Sequence, residues 1–402
     1  MNNKNIIYGI FGIIIVSIFC VILIHVKEKE YIMYNGVLLA LTVDGENALS
    51  FPKDNNKYHV DISCDGGKYQ PVRVSYDADT NSDVYEIKLI LDNINKNGTL
   101  CNVNFITIDD DNKNEYMLTT VVQSKATQIS SINNAGETDI SYRYNGKNPN
   151  NYIWFNNEMW RIIGLIPTCT SSGCATKSNL VKIIRNESLG GYAYDASSTT
   201  TSELKNAWGS NTLYKLLNEY YYGKGNGTSN ENGKAYCYGY YNSTYQPIPD
   251  CNFNEIGISN NEKDYFGTMI ENVYWNTGKI PDDLNISEIY INETATQTVL
   301  GYVGLMTASD YGYAGTDYNN VINSSLFGNN TTTNWLYGNG DERTSIGSLT
   351  KTTTTIVLTY WGTLENNSIH ISYAVRPVVY LDPSVYVISG EGTEENPYII
   401  GM

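Results

Sequence analysis

The chain has 402 residues and a net charge of −16, from 42 acidic against 26 basic side chains. That balance excludes a nucleic-acid-binding surface, which needs a basic stripe, and it disfavours docking on anionic lipid. Charged residues make up only 17% of the chain, so the polar load falls on Asn, Ser, Thr and 35 tyrosines; this suits an adaptable contact surface or half-buried sheet positions.

Residues 1–5 form a short tail before an apolar run, 6–26, that is long enough to span a bilayer as a helix. The run is longer than the core of a secretory signal, and no small-residue cleavage site follows it. The expectation is an N-terminal transmembrane anchor, with the tail cytoplasmic and the bulk of the chain extracellular.

Cysteine usage supports that orientation. Of the seven cysteines, Cys20 lies in the apolar run. The others fall into neighbouring pairs: Cys64 with Cys101, Cys169 with Cys174, Cys237 with Cys251. Nearest-neighbour pairing is one of several possible connectivities. Disulfides imply an oxidising compartment. A zinc site would need closer cysteine spacing or added histidines, and the only histidines are His25, His59 and His370. No metal or cofactor is expected.

Residues 34–127 contain short β-rich runs, among them GVLLALTVDG, YHVDISC, LCNVNFITI and YMLTTVVQ, separated by Asp-Gly and Asn-Gly turn signals. They predict an all-β, immunoglobulin-like sandwich clipped by Cys64 and Cys101. Small polar residues over 128–140 read as a linker. The remainder, 141–402, reads as an α+β head domain. Helices are expected over 212–222, with Asn211 as cap, and over 262–275, followed by a return to strands.

The head opens on YIWFNNEMWRIIG, residues 152–164. It reads as a hairpin with Asn156, Asn157 and Glu158 at its tip. If the loop spans 156–159, Phe155 faces Trp160, and Trp154 comes within cation–π reach of Arg161. A three-residue loop instead pairs Trp154 with Trp160, because a one-residue slip exchanges the faces. Arg376, before Pro377, is expected to be a buried partner for a carboxylate.

No nucleophile-elbow, zincin, Walker or dinucleotide-binding motif occurs. His370 in an alternating strand is more readily structural than catalytic. Paired carboxylates could hydrolyse glycans without a histidine, with Glu158, Glu187, Asp195, Asp310 and Asp317 as candidates. The candidate ligand-binding residues are polar–aromatic: Trp154 with Arg161, the cluster Asp310, Tyr311 and Tyr313 at a strand end, and Trp335, Tyr337 and Trp361.

The segments YNGKNPNNYIWFNNEMWRIIG, VKIIRNES, VGLMTASDYGYAG and YAVRPVVYL, with the closing GEGTEENPYII, resemble membrane-anchored surface proteins of Gram-positive bacteria. The strand–helix–helix–strand order and the VRPVVYL strand resemble the C-type-lectin-like fold. The calcium motifs of lectins are absent, so this second resemblance implies architecture alone. Together they imply a surface-displayed binding or adhesion protein whose ligand is a glycan or a protein. The alternatives are a cell-envelope glycan hydrolase and a structural envelope protein.

Overall fold

The computed structural model describes residues 31–34, 37–53, 56–64, 68–77, 82–90, 100–195, 206–223, 226–227, 238–241, 244–247, 251–253, 256–258, 265–281, 286–294, 297–316, 332–338 and 340–402. Strand outweighs helix, 44% to 16%. The expected sequence of transmembrane helix, immunoglobulin-like sandwich and α+β lectin-like head therefore gives way to a mostly β architecture. Among the described residues no helix is long and apolar enough to cross a membrane. The span expected over 6–26 and the tail over 1–5 lie outside the described residues.

Two compact units form, one from residues up to 52, 60–69 and 89–107, the other from 53–59, 70–88 and 108–402. In the smaller unit Val37–Val43 pairs antiparallel with Tyr31–Tyr34 and parallel with Leu100–Ile108. Asp44 and Gly45, both with positive φ, turn the chain into Glu46–Asn47, as a two-residue hairpin loop requires. Leu39, Leu41, Cys101, Val103 and Phe105 are buried, and Cys64 is bonded to Cys101.

The sandwich fails at its expected last strand. Leu118–Lys125 is a helix that buries Leu118 and Val122. Its apolar residues recur at helical spacing, Leu118, Val121 and Val122, which satisfies a helix better than an alternating strand.

The larger unit is built on an eleven-stranded sheet. Its main path runs Val303–Gly304, Val378–Leu381, Lys177–Arg185, Glu158–Cys169, Tyr152–Phe155, Tyr398–Gly401 and Tyr386–Ser389. Two antiparallel strand pairs join it at Glu158–Cys169. One is Thr127–Ile132 with Thr138–Arg143, and it occupies the region expected to be a linker. This hairpin turns its polar side chains inward. Ser131, Asp139, Ser141 and Arg143 are buried, while Ile132 and Ile140 are exposed. An inverted pattern of this kind reads as linker when polarity is taken to mean solvent. The other joining pair is Val273–Asn276 with Thr298–Gly301, between which the chain forms Lys279–Ile280 and the helix Ile286–Glu293.

A six-stranded sheet packs Glu342–Ser348 among Gly191–Ala193, Ser372–Ala374, Thr354–Leu358, Leu364–Ser368 and Lys279–Ile280. Every residue of Glu342–Ser348 is buried.

Of the two expected helices the first forms over nearly its expected length and the second is short. Asn211 does cap a helix, accepting from the Tyr214 N–H at 2.7 Å. That helix covers Thr212–Lys215 and continues as a π-helix, Leu216–Tyr221. The second covers Tyr265–Thr268, after which Val273–Asn276 is a strand carrying the buried Trp275.

In the opening hairpin neither expected register forms. Asn156 and Asn157 both adopt positive φ, 53° and 59°, giving a two-residue loop of the type that Asn tolerates. Tyr152 then faces Arg161, Ile153 faces Trp160, Trp154 faces Met159 and Phe155 faces Glu158. Phe155 and Trp160 are fully buried and meet edge to face at 5.3 Å.

Candidate functional site

The sequence-predicted residues fall into three groups in the larger unit. The first surrounds Asp310. Arg143 and Lys182 both pair across from Gly164, on opposite neighbours of the strand Glu158–Cys169. Directly opposed residues share a face, and glycine interposes no side chain between the two cations. A Cβ at Gly164 would collide with the Tyr142 carbonyl. Asp310 enters from the helix Ala308–Ala314, where it completes a capping box with Thr307. Its carboxylate accepts from Arg143 at 2.8 Å and from Lys182 at 2.5 Å. Burial opposes ionisation, but Lys182 and Arg143 outweigh it and hold Asp310 at about 2. Tyr313 lies under the Arg143 guanidinium and bonds Ser131 at 2.6 Å. Glu293 bonds the Ser309 N–H at 3.0 Å and its hydroxyl as well. Burial raises Glu293 to about 7, helped by Asp310 and opposed by Ser309 and Lys182. This group is sealed from solvent and meets no ligand from outside.

The second group is organised by Arg161. Its guanidinium donates to Asn151 Oδ1 at 2.9 and 2.6 Å and lies over the rings of Tyr152 and Trp335 at 4.1 and 4.5 Å. The cation–π partner expected to be Trp154 is thus replaced by these two rings. Burial lowers Arg161 to about 10. Trp335 is buried, and its indole donates to the Tyr144 carbonyl at 2.8 Å. Trp154 is half-buried and stands apart.

The third group is on the surface. Thr359 and Thr363 close a tight turn by a backbone bond of 2.8 Å and a hydroxyl–hydroxyl bond of 2.5 Å. Gly362 takes the positive φ that the turn needs, 75°. Tyr337 donates to the Tyr360 carbonyl at 2.5 Å, Tyr311 donates to the Gly362 carbonyl at 3.0 Å, and Asp341 accepts from the Tyr360 N–H at 2.5 Å. Behind the turn, Arg376 donates to Glu342 at 2.8 and 2.7 Å and to the Leu336 carbonyl at 2.7 Å. Glu342 is the carboxylate expected for Arg376. On this braced turn Tyr360 and Trp361 are 58% and 70% exposed and touch edge to face at 5.3 Å. Tyr311, Tyr337 and Trp361 are therefore brought together, Trp335 and Arg161 form a second pair, and Asp310 with Tyr313 a third.

Among the described residues the hydrolase candidates are each held by other groups. Glu158 is held by Arg185 at 2.6 to 2.9 Å, Glu187 bonds Asn186, Asp195 is buried, and Asp317 lies outside the described residues. His370 bonds Ser368 at 2.6 Å. Burial and then the Arg343 cation lower its pKa, whereas a catalytic imidazole is oriented by a carboxylate. Among the described residues no group of His, Cys, Asp and Glu is placed to hold a metal. Cys169 is bonded to Cys174. Cys237, and with it the third expected pair, lies outside the described residues.

Sequence reasoning passed over Arg143, Lys182, Glu293, Tyr360 and Asp341. One available signal was Thr-Ala-Ser-Asp at 307–310, a capping spacing that places Asp310 at a helix start rather than at a strand end. No family model, curated protein or solved structure matches the chain.

Proposed function

We propose that the chain is an extracytoplasmic binding or adhesion module without catalysis, which takes a neutral glycan on the Tyr360–Trp361 turn. The observation that carries this reading is Trp361, 70% exposed and the most exposed large apolar side chain among the described residues. An isolated exposed aromatic on a mobile loop would mean little. This one sits on a turn whose backbone is fixed by Tyr337, Tyr311 and Asp341, so little ordering cost remains to be met on binding. The apolar faces of sugar rings stack on indole and phenol rings, and carboxylates accept from sugar hydroxyls. Asp341 and Glu365 supply carboxylates at the turn, accepting from the Tyr360 N–H and from the Thr363 hydroxyl. With a net charge of −16, a polyanionic glycan is repelled and a neutral one is not. The Cys64–Cys101 and Cys169–Cys174 bonds support an oxidising compartment.

Against the hydrolase reading stands the engagement of its candidates, since Glu158 is held by Arg185, and Asp310 by Arg143 and Lys182. Glu271 is raised by its burial and then by the neighbouring Asp382. The test is a neutral glycan array probed with the purified full chain and with Trp361→Ala. Binding by the first and loss of about thirtyfold or more in the second, the effect of removing about 2 kcal/mol at a hot spot, is expected. Equal binding by both rejects the site, and binding by neither rejects the ligand class.

A further inference from the structure

Arg161 and Arg376 are only 6% and 7% exposed, and a charge so buried is ordinarily paired. Arg376 has its carboxylate: Glu342 accepts from Nε and Nη2 at 2.8 and 2.7 Å. Arg161 has none in contact among the described residues. Its Nε and Nη2 donate to neutral oxygens alone, those of Asn151, Asn148 and Pro149. The rings of Tyr152 and Trp335 stand 4.1 and 4.5 Å from its guanidinium carbon. With rings against its face, the edge is what remains for a partner. The atom left over is the same in both residues. Among the described residues neither Nη1 makes a hydrogen bond, and neither is closed off from solvent.

The two cations are neighbours. Trp335 lies against Arg161, and the next residue, Leu336, accepts from Arg376 Nη2 at 2.7 Å. Burial is the main cause that lowers Arg161, and the like charge of Arg376 adds to it. Asn148, which accepts from Arg161 Nη2 at 3.4 Å, is exposed, so solvent reaches this side of the guanidinium. The exposed Glu394 acts on Arg161 from a distance rather than in contact. Two guanidinium groups against one contacting carboxylate leave a positive charge in surplus.

We propose that Arg161 and Arg376 form a binding site for a small organic monocarboxylate, which accepts from their two unpartnered Nη1 groups. A planar carboxylate has two oxygens to offer two guanidinium edges, and such charge-assisted bonds are the strong ones. Its single negative charge equals the surplus. A phosphate dianion exceeds it, and the net charge of −16 works against a multiply charged ligand. The arginines are held before the ligand arrives, Arg161 by Asn151 and two rings, Arg376 by Glu342, so little ordering cost is left. The inference does not depend on the glycan reading, because its test uses acetate and leaves Trp361 untouched.

The experiment is a calorimetric titration of the purified full chain with sodium acetate at constant ionic strength, with inorganic phosphate as the second probe. Acetate should bind saturably and phosphate more weakly. Arg161→Gln should abolish acetate binding. Asn148→Asp keeps the test valid should that variant fold poorly, because it changes an exposed residue and places a carboxylate of the chain itself beside Arg161. It should weaken acetate about tenfold or more and raise the melting temperature. No saturable acetate binding by the natural chain would overturn the site. Undiminished binding in Asn148→Asp would overturn the role of Arg161, and phosphate binding as tight as acetate would overturn the ligand class.

Discussion

Arg376→Met is the perturbation whose cost follows most directly from the structure. Arg376 and Glu342 are 8% and 4% exposed at the side chain and share a bidentate contact. Methionine keeps most of the apolar stem of arginine but removes the charged head. Glu342 would then be buried without its partner. Burial already raises its pKa even with Arg376 opposing, so its charge is tolerated only because the guanidinium is there. Breaking a buried pair from one side costs about 3–5 kcal/mol. The Leu336 carbonyl also loses a donor, which puts the expected cost in the upper part of that range. Removing both charges in Arg376→Met with Glu342→Met should recover most of the loss. Urea unfolding at neutral pH, followed by circular dichroism, measures each value. At acidic pH the single variant should recover in part, because Glu342 can protonate. A single variant within about 1 kcal/mol of the natural chain, or a double variant no better than the single, would refute the reasoning.

Three further outcomes follow from the same structure. Glu293 is raised from 4.5 to about 7, so the folded state holds its proton more tightly. The stability it contributes is complete below pH 4.5 and is lost as pH rises through about 7, at ~1.36 kcal/mol per unit or about 3 kcal/mol in all; Glu293→Gln should flatten that slope in urea unfolding between pH 5 and 8, and an unchanged slope would count against it. Cys64→Ser with Cys101→Ser should cost the smaller unit about 4 kcal/mol, for a sequence separation of 37, read as earlier proteolysis of that unit. Asn157→Val, forced to a φ of 59°, should destabilise the opening hairpin by about 1–2 kcal/mol, while Asn157→Gly should be close to neutral in the same thermal melt.

The sequence was most legible where one residue type has one structural use. Cysteine proximity found Cys64–Cys101 and Cys169–Cys174, Asn211 announced a helix cap, and Arg376 announced a buried carboxylate partner. Legibility failed where polar residues are core. Ser131, Asp139, Ser141 and Arg143 face inward, onto Tyr313, Tyr290, Arg143 and Asp310 respectively, so a strand pair read as linker. Leu118–Lys125 was taken for a strand because its β-branched residues are strand formers, though their spacing was helical. The hairpin register turned on whether Asn156 and Asn157 would both accept positive φ, and the loop length follows from that single backbone choice. At the site, Tyr311, Tyr337 and Trp361 were singled out one at a time for their aromaticity. What joins them is a pair of phenol hydroxyls reaching backbone carbonyls across long stretches of chain, which no local pattern encodes.

The most direct test of the binding account is a titration of the purified full chain with neutral oligosaccharides selected on the array, followed by calorimetry beside Trp361→Ala. The account predicts saturable binding by the natural chain, and a loss of about thirtyfold or more in a variant whose melting temperature is unchanged. Undiminished affinity in Trp361→Ala would contradict it.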